Sequence, residues 1–407
     1  MGGALLQLSI KGVQDKNLTS NPEITFFQRK FRRHTNFARE CIERQFNGSF
    51  TYNQIGTCDV VRDGDLINNM YLKIQLPKLK APDGTQCYWA NSIGHILIDY
   101  ITFEVNGEVI DKQYGEWLEI HSELALPTSK RVGYNELIGK IADGFGTLNN
   151  NEFEGPRTIY IPCNFWFTKD IGSSLPLIAL TNSNIQVKVK FNSFSKCVIK
   201  PNNTVQLPEG NYQFQASLLL DTIHLEGKER QSIASKPLNY LITQVQLNDE
   251  KSFKQGQNQQ NVSLQFNHPV KEIVWVIQRT DINNNNDDYF NYSNTLSIPD
   301  TEDTFTNAKI MFVGQDRTSL LSSDYFRLIQ SYQHHTNIPK KQIYVYSFAH
   351  RPEDFQPSGA VNFSNIENAS LQIHRANGLC AAAIRIYAIN INILHVNKGV
   401  CSLLYHN

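Results

Sequence analysis

The stretch RTIYIPCNFWFTKDIGSSLPLIALTNSNIQVKVKF, residues 157–191, decides the fold expected for this chain. Residues 159–161 and 165–167 are β-branched and aromatic, and residues 185–190 alternate apolar and polar side chains with the period of a strand. Residues 172–176 have the glycine, serine and proline content of a turn. The stretch therefore predicts an antiparallel pair of strands with one face buried.

A second copy of the pattern lies at residues 341–375, KQIYVYSFAHRPEDFQPSGAVNFSNIENASLQIHR. Ile159 and Tyr160 recur as Ile343 and Tyr344, 184 residues further along the chain. The same step relates Asn184, Val187 and Val189 to Asn368, Leu371 and Ile373. Order and spacing kept over this span favour a tandem duplication of one all-β unit.

Chain length agrees with a duplication, because 407 residues exceed the roughly 250–300 at which a single core stops growing. Strand-like runs occur in both halves, among them residues 49–52 and 70–76, and Asn106-Gly107 is a strong hairpin signal. Short helices are predicted at residues 117–126 and 324–334. We therefore predict an all-β fold of two tandem eight-stranded antiparallel jelly rolls, with short helices in the connecting loops.

The predicted parts are an N-terminal arm at residues 1–24, a first jelly roll at 25–228 and a second at 229–407. The charged and polar segment EGKERQSIASKP, residues 226–237, supplies the boundary between the two jelly rolls.

Composition excludes several classes of function. Lys+Arg and Asp+Glu both count 38, so bulk attraction to nucleic acid or anionic lipid is not expected, nor is direct sequence-specific nucleic-acid binding. Seven cysteines without a C-x-x-C pair argue against zinc ribbons and thioredoxin chemistry, and predict reduced thiols. The first residues lack the features of a secretory signal, and no apolar run reaches membrane-spanning length. Folding in the cytoplasm is expected.

Basic and aromatic side chains are interleaved in FFQRKFRRHTNFA, residues 26–38. Arg29, Arg32, Arg33 and His34 are candidates for assembly contacts. One interpretation is a contact with nucleic acid or lipid headgroups. The other, favoured because the cluster is short and the protein neutral, places the aromatic rings in the core while the cations stay solvated or pair across a subunit contact.

Jelly rolls also carry enzymes and lectins, so possible catalytic and metal-binding residues matter for the function. Glu119 and Glu123 resemble the paired carboxylates of retaining β-glucanases, but a helix over residues 117–126 would turn them away from a common cleft. His121, His334 and His335 have no partners at metal-ligand spacing and are expected to be solvated. We predict no catalytic residue, no cofactor and no metal site.

Asn291 is the candidate glycan acceptor among seven N-x-S/T sequons. It lies in DINNNNDDYFNYSN, residues 281–294, which is expected to be an exposed loop because its polar residues cannot form a core.

Four segments spread along the chain carry a resemblance to a known family. They are RRHTNFA (32–38), YIPCNFWFTKDIGSSLPLIAL (160–180), DTIHLEGKER (221–230) and RPEDFQPSGAVNFSNIEN (351–368). In these segments the chain resembles the major capsid proteins of nucleocytoplasmic large DNA viruses.

The resemblance implies a structural protein of the virion shell, made and folded in the host cytoplasm. It implies homotrimers with a pseudo-sixfold outline, an icosahedral lattice of such capsomers, minor capsid proteins as partners and an internal viral membrane nearby. The competing functions are a lectin-like carbohydrate-binding module and, less favoured, a jelly-roll glycoside hydrolase.

Overall fold

A computed structural model of the chain describes residues 2–48, 50–79, 87–140, 156–199, 209–281, 289–295, 302–376, 378 and 380–406. It divides into two compact units, Met1–Asn36 and Phe37–Asn407. The smaller unit contains two short helices, α1 (Gly3–Ser9) and α2 (Val13–Thr19), neither of which has a buried residue.

The first half of the larger unit is a jelly roll of two four-stranded antiparallel sheets. Its strands are β1 (Phe37–Gln45), β2 (Ile55–Asp59), β3 (Leu66–Leu76), β4 (Tyr88–Trp89), β5 (Ile98–Val105), β6 (Glu108–Tyr114), β7 (Arg157–Pro162), β8 (Ile185–Phe191), β9 (Val198–Ile199) and β10 (Gln215–Leu225). Its helices are α3 (Ile93–Leu97), α4 (Gly115–Ala125), α5 (Arg131–Ile138) and α6 (Phe194–Cys197). The sheet orders are β1-β10-β3-β7 and β2-β8-β5-β6, and β4 pairs with β9.

Helix α7 (Gly227–Ser235) leads into a second jelly roll. Its strands are β11 (Leu238–Leu247), β12 (Lys251–Phe253), β13 (Gln259–Ser263), β14 (Pro269–Arg279), β15 (Phe305–Phe312), β16 (Gln315–Asp316), β17 (Leu321–Ser322), β18 (Tyr344–Ser347), β19 (Val361–Asn362), β20 (Ala369–Arg375), β21 (Ala382–Asn397) and β22 (Val400–Leu403). A π-helical turn, Tyr325–Ile329, continues into α8 (Gln330–His334). The main sheet orders are β11-β21-β14-β18 and β13-β20-β15-β16.

The two jelly rolls have the same topology, which confirms the predicted fold. Each strand of β1-β10-β3-β7 has its counterpart, in the same order, in β11-β21-β14-β18, and β2-β8-β5-β6 corresponds in the same way to β13-β20-β15-β16. Strands β8 and β20 are both seven residues long with the same burial alternation, and lie at the 184-residue step found in the sequence. The duplicated strand pattern therefore reflects a duplicated sheet topology.

Local signals also predicted elements correctly. Asn106 and Gly107 join β5 to β6 with positive φ angles of 52° and 84°, as a two-residue hairpin of the favoured type requires. The helix expected at residues 117–126 is α4, and the helix expected at 324–334 is the π-helical turn together with α8.

The two strands of the opening stretch do not pair with each other, so that prediction is wrong. Strand β7 pairs with β3 in one sheet, whereas β8 lies between β2 and β5 in the other. Residues 165–167 are not a strand either, because Trp166–Thr168 forms a 3-10 turn. Three consecutive aromatic rings all enter the core here, whereas a strand would send alternate side chains to opposite faces.

A strand expected at residues 49–52 is also absent. Ser49 lies outside the described residues, while Phe50 and Tyr52 pack against other aromatic rings of the first jelly roll without forming a strand. The strand of this region is β2, which begins at Ile55.

In the sheet β11-β21-β14-β18, the inner strands β14 and β21 have buried residues on both faces. Trp275, Ile277 and Ile386 pack into the core of the second jelly roll, whereas Val274 and Tyr387 belong to the apolar cluster of the first. Strand β14 accordingly contains eight buried residues in a row. A shared apolar layer thus joins the two jelly rolls. We refer to this contact between the two jelly rolls as the joint.

Candidate assembly surfaces

The basic segment predicted to make assembly contacts lies in the smaller unit. Arg29, Arg32, Arg33 and His34 are exposed. The neighbouring rings are exposed too, Phe26 by 88%, Phe27 by 98% and Phe31 by 85%. These rings are therefore not core residues of this chain, contrary to the interpretation favoured from sequence. Contacts of this segment with a partner stay a prediction.

Helix α4 connects the two jelly rolls. It begins at Gly115, where an added Cβ would lie 2.2 Å from the carbonyl oxygens of both His95 and Ile98, so no other residue fits there without movement. Two residues later, the Trp117 ring packs against Tyr387 of β21 at a centroid distance of 5.4 Å. The helix therefore lies against its own jelly roll at one end and against the shared sheet along one side.

Glu116 is the polar centre of the contact between α4 and β21. Its carboxylate accepts hydrogen bonds from Arg385 Nε at 2.5 Å and Nη2 at 2.6 Å, in a bidentate arrangement. The hydroxyls of Tyr387 and Tyr292 donate to the same carboxylate at 2.6 and 3.1 Å. Burial by itself would lower the pKa of Arg385, but Glu116 raises it. Paired and hydrogen-bonded charges of this kind tolerate burial.

Glu119, one turn further along α4, is fully buried among cations from both jelly rolls. Lys140 Nζ lies 3.1 Å and Lys341 Nζ 2.9 Å from its Oε1, and His95 Nδ1 lies 2.7 Å from its Oε2. Burial by itself would raise the pKa of Glu119, but Lys341 and Lys140, together with the His95 hydrogen bond, hold it well below its usual range. Lys341 belongs to the second jelly roll, so this ion pair crosses the joint.

Glu123 extends the cluster by a further turn. Lys140 Nζ lies 2.9 Å from one carboxylate oxygen of Glu123, and Arg131 Nη1 lies 3.0 Å from the other. The three glutamates of α4 thus follow i, i+3, i+7 spacing on one helix face. Each is neutralised by a cation, so they are structural groups and not a catalytic pair.

Edge contacts extend the joint beyond α4. The Gln244 side chain of β11 donates to the carbonyl of Ile110 at 2.5 Å, and the Val245 N–H donates to the buried Asp111 at 3.2 Å. At the β21–β22 hairpin, the carbonyl of Gly399 accepts a hydrogen bond from the Asn182 N–H at 2.9 Å. Polar contacts therefore flank the apolar layer on more than one side.

Two histidines expected to be solvated are placed otherwise. The His335 side chain is 2% exposed and lies 3.0 Å from Glu272 and 2.9 Å from Glu353. Burial by itself would lower the pKa of His335, but the two carboxylates raise it to about 10, so the imidazole is charged at neutral pH. Burial lowers the pKa of His121 to about 3. Among the residues described, no group of three or more His, Cys, Asp or Glu is arranged to hold a metal.

The helix of the second jelly roll presents an apolar face to solvent. Leu328 is 37% exposed, Ile329 46% and Tyr332 77%. Next to it lies a cavity of about 520 Å³ whose lining includes Arg131, Tyr332 and Ile338. We refer to Leu328, Ile329 and Tyr332 as the open helix face.

Asn291 is not exposed, contrary to the expectation. Its exposed fraction is 3%, and its side-chain oxygen accepts a hydrogen bond from the Ser293 N–H at 2.7 Å. Residues 282–288 and 296–301, on either side, lie outside the described residues. A glycan on Asn291 would require this segment to rearrange, so the structure does not favour it.

Comparison with known proteins agrees with the double jelly-roll fold and with a structural role for the paired charges of α4. One family model, described as the major capsid protein N-terminus, matches residues 25–226. A second, described as the large eukaryotic DNA virus major capsid protein, matches residues 229–402. A major capsid protein of Pyramimonas orientalis virus is 33% identical over the whole of both chains, and one of Phaeocystis pouchetii virus is 32% identical, also over the whole of both. The chain belongs to the major capsid protein family of large eukaryotic DNA viruses.

Among solved structures, a chain of the PBCV-1 virus capsid superposes with a TM-score of 0.80 at 27% identity, over 94% of this chain and all of that one. This capsid protein is therefore a structural component of the virion shell that assembles into a capsid lattice. The relatives and structural neighbours found are capsid proteins and not enzymes or lectins, which agrees with glutamates of α4 that are each paired with a cation. No helix in the described ranges is both long and apolar enough to cross a membrane.

The ion pairs between the two jelly rolls were not predicted from the sequence. Glu116 and Arg385 are 269 residues apart, and nothing local marks them as partners. One signal was available: α4 has three glutamates on one face of a helix that is otherwise apolar, and such charges are rarely buried unless paired.

Proposed function

We propose that this capsid protein forms homotrimeric capsomers with a pseudo-sixfold outline, which then tile an icosahedral shell with the help of minor capsid proteins. The observation that carries the proposal is the duplicated jelly roll, since three copies of a chain with two equivalent halves supply six similar wedges. Exposed apolar side chains such as Tyr332 and Phe355 agree with a chain that buries more surface on assembly.

We further propose domain boundaries at residues 24/25 and 228/229. Supporting the second boundary, β10 ends at Leu225, helix α7 follows, and β11 begins the next sheet at Leu238.

Gel filtration coupled to light scattering tests the oligomeric state. The expected mass is three times the 46.5 kDa of one chain. A monomer at all concentrations, with no larger assembly, would contradict the proposal.

We propose that Arg29, Arg32, Arg33 and His34 contact neighbouring components at the base of the capsomer, on the side of the internal membrane. The proposal is supported by the exposure and the chemistry of this segment: these four basic side chains, Lys30 and three exposed phenylalanines lie within nine residues, 26–34. Cations and aromatic rings of this kind are suited to carboxylate-bearing or apolar partner surfaces.

The double variant Arg32→Glu/Arg33→Glu should assemble into shells at least tenfold less efficiently while its thermal unfolding stays unchanged. The matched control is Lys11→Glu/Lys16→Glu, which makes the same change of charge at two other exposed positions of the same unit. Electron microscopy of the particles would measure assembly. Equal assembly of the two double variants would contradict a contact of Arg32 and Arg33 with neighbouring components.

A further inference from the structure

The cavity of about 520 Å³ beside the open helix face lies between the two jelly rolls. Thr128 and Arg131, just before and at the start of α5, line it on the side of the first jelly roll. On the side of the second jelly roll, α8 and the segment 335–340 that follows this helix line it. Its volume is within the range of about 300–1,000 Å³ that is typical of small-molecule sites.

Asn337 holds the two walls of the cavity together. Its backbone N–H donates to the carbonyl of Leu124 at 2.9 Å, and its side-chain amide donates to the carbonyl of Leu126. The Thr128 hydroxyl donates to the side-chain oxygen of Asn337 at 3.0 Å. The fold itself therefore preforms the cavity, as is usual for sites that bind small molecules.

The polar part of the lining is cationic, since none of the described residues that line the cavity is acidic. Lys340 is exposed and makes no ion pair with any residue that the structure describes. Arg131 pairs through Nη1 with Glu123 at 3.0 Å, whereas its Nε and Nη2 have no partner within the described ranges. The ring nitrogens of His335 are both occupied by carboxylates. Lys340 and Arg131 are therefore the two cations with donors still available.

An apolar wall adjoins these two cations. Tyr332 is 77% exposed and Ile338 44%, and both line the cavity. The Tyr332 ring does not stack on another aromatic ring in the described part of the chain, so it is available to a ligand. Aromatic side chains of this kind stack favourably on flat rings, including nucleobases.

We propose that this cavity binds a small aromatic molecule that carries one phosphate group, of the class of the nucleoside monophosphates. The phosphate pairs with Arg131 and Lys340, whose two positive charges match its charge of about −1.5 to −2 at neutral pH. A guanidinium suits this group because its planar donors match two phosphate oxygens. The base stacks on Tyr332, next to Ile338.

Such a ligand contacts both jelly rolls at once, so its binding stabilises the joint. A nucleoside triphosphate carries more negative charge than Arg131 and Lys340 compensate, which favours the monophosphate. The site lies within one chain, so it does not rest on the proposed capsomer, and its test is independent of whether trimers form.

Isothermal titration calorimetry of the full-length protein with AMP, adenosine and inorganic phosphate tests the ligand class. AMP should bind saturably at one molecule per chain. Adenosine and inorganic phosphate should each bind at least tenfold more weakly, because each makes only part of the contacts. AMP at ten times its Kd should also raise Tm by about 2 °C, since it binds only the folded chain. No saturable binding of AMP, or equal affinity for AMP and inorganic phosphate, would overturn the proposal.

Two variants separate the parts of the site. Lys340→Gln removes a cation and Tyr332→Ala removes the ring, and each should weaken AMP binding about tenfold. Lys228→Gln and Tyr405→Ala are the matched controls, which make the same changes at exposed positions elsewhere and should bind AMP like the wild type. All four positions are exposed, so thermal unfolding without AMP should match that of the wild type.

The weaker ligands distinguish loss of a specific contact from general damage to the cavity. Lys340→Gln should leave the affinity for adenosine unchanged, and Tyr332→Ala should leave that for inorganic phosphate unchanged. Equal AMP affinity of either variant and its matched control would overturn the assignment of the site. Oligothymidylate that binds more tightly than AMP and is weakened by the same two variants would also overturn it, because the cavity would then belong to a surface for a nucleic-acid strand.

Discussion

Replacing Glu119 by Gln tests whether the ion pair across the joint holds the two jelly rolls together. The variant keeps the shape of the side chain but removes its charge. Lys140 retains Glu123, whereas Lys341 has no other carboxylate within ion-pair distance among the residues described. Breaking a buried pair by removing one partner typically costs about 3–5 kcal/mol, because the remaining ion stays buried without compensation.

This cost converts into a measurable change of melting temperature. The larger unit has roughly 370 residues, and an unfolding entropy of about 2.1 cal/mol/K per residue gives a fall of about 4–6 °C in Tm. Differential scanning calorimetry or near-ultraviolet circular dichroism would measure it. Glu136→Gln is the matched control, because Glu136 is exposed on α5 and its loss should change stability by less than about 0.5 kcal/mol.

A second substitution sharpens the test. Adding Lys341→Met to Glu119→Gln removes the unpaired cation, so the double variant should recover at least half of the lost stability. The pKa of Glu119 is held low in the folded protein, so its contribution is complete above the unfolded pKa near 4.5 and lost as pH falls through the folded value. A single variant that melts within 1 °C of the wild type, or a double variant less stable than the single, would refute the reasoning.

Three further outcomes follow from individual residues. Burial raises the pKa of Asp111 from 3.8 to about 6. The free energy of unfolding of the wild type should therefore rise by about 1–1.5 kcal/mol relative to that of Asp111→Asn when pH is lowered from 8 to 5. Urea titrations of both proteins at the two pH values would check this, and a constant difference between them would contradict it. Gly115→Ala should leave little soluble protein or lower Tm by several degrees, whereas Gly133→Ala, in an open position of α5, should be neutral or stabilising by up to about 1 kcal/mol. None of the seven cysteines, all of which lie in the described ranges, forms a disulfide, so seven thiols should titrate with Ellman's reagent in denaturant without reductant, and in the native monomer the exposed Cys41 should react before the buried ones.

Much of the fold was predictable because strand alternation and turn chemistry are local. Strand β8 extends one residue beyond the predicted alternating segment, and the Asn106-Gly107 hairpin forms as expected because both residues tolerate positive φ. The duplication was predictable because the two copies retained their spacing.

Tertiary packing explains the errors. Phe165, Trp166 and Phe167 have the composition of a strand, but the space around Phe103 admits all three rings, with centroids 5.3–5.7 Å from it. Composition alone does not show how much space the surrounding core leaves for these rings. Burial of Asn291 was missed for a similar reason, since neighbouring Phe290 and Tyr292 carry it into the core despite its polar context.

The joint between the jelly rolls was not predictable from pattern. The apolar run of residues 273–277 in β14 is typical of a strand covered on both faces, but it does not tell which part of the chain covers it. Likewise, no pattern relates Glu119 to Lys341, which come together only after both jelly rolls exist. The prediction of assembly contacts at Arg29, Arg32 and Arg33 remains one that experiment has to decide.

The shared apolar layer also determines when the chain can finish folding during its synthesis. Glu116 and Tyr387 are 271 residues apart, so at about 5–20 residues per second the first jelly roll exists on the ribosome for roughly 15–50 s before the side chains that complete its core have been made. During that interval Trp117 lacks its contact with Tyr387, and an apolar surface stays open. Supply of this subunit in an infected cell is therefore expected to depend on chaperones that bind nascent chains, with demand rising as more ribosomes translate the message at once.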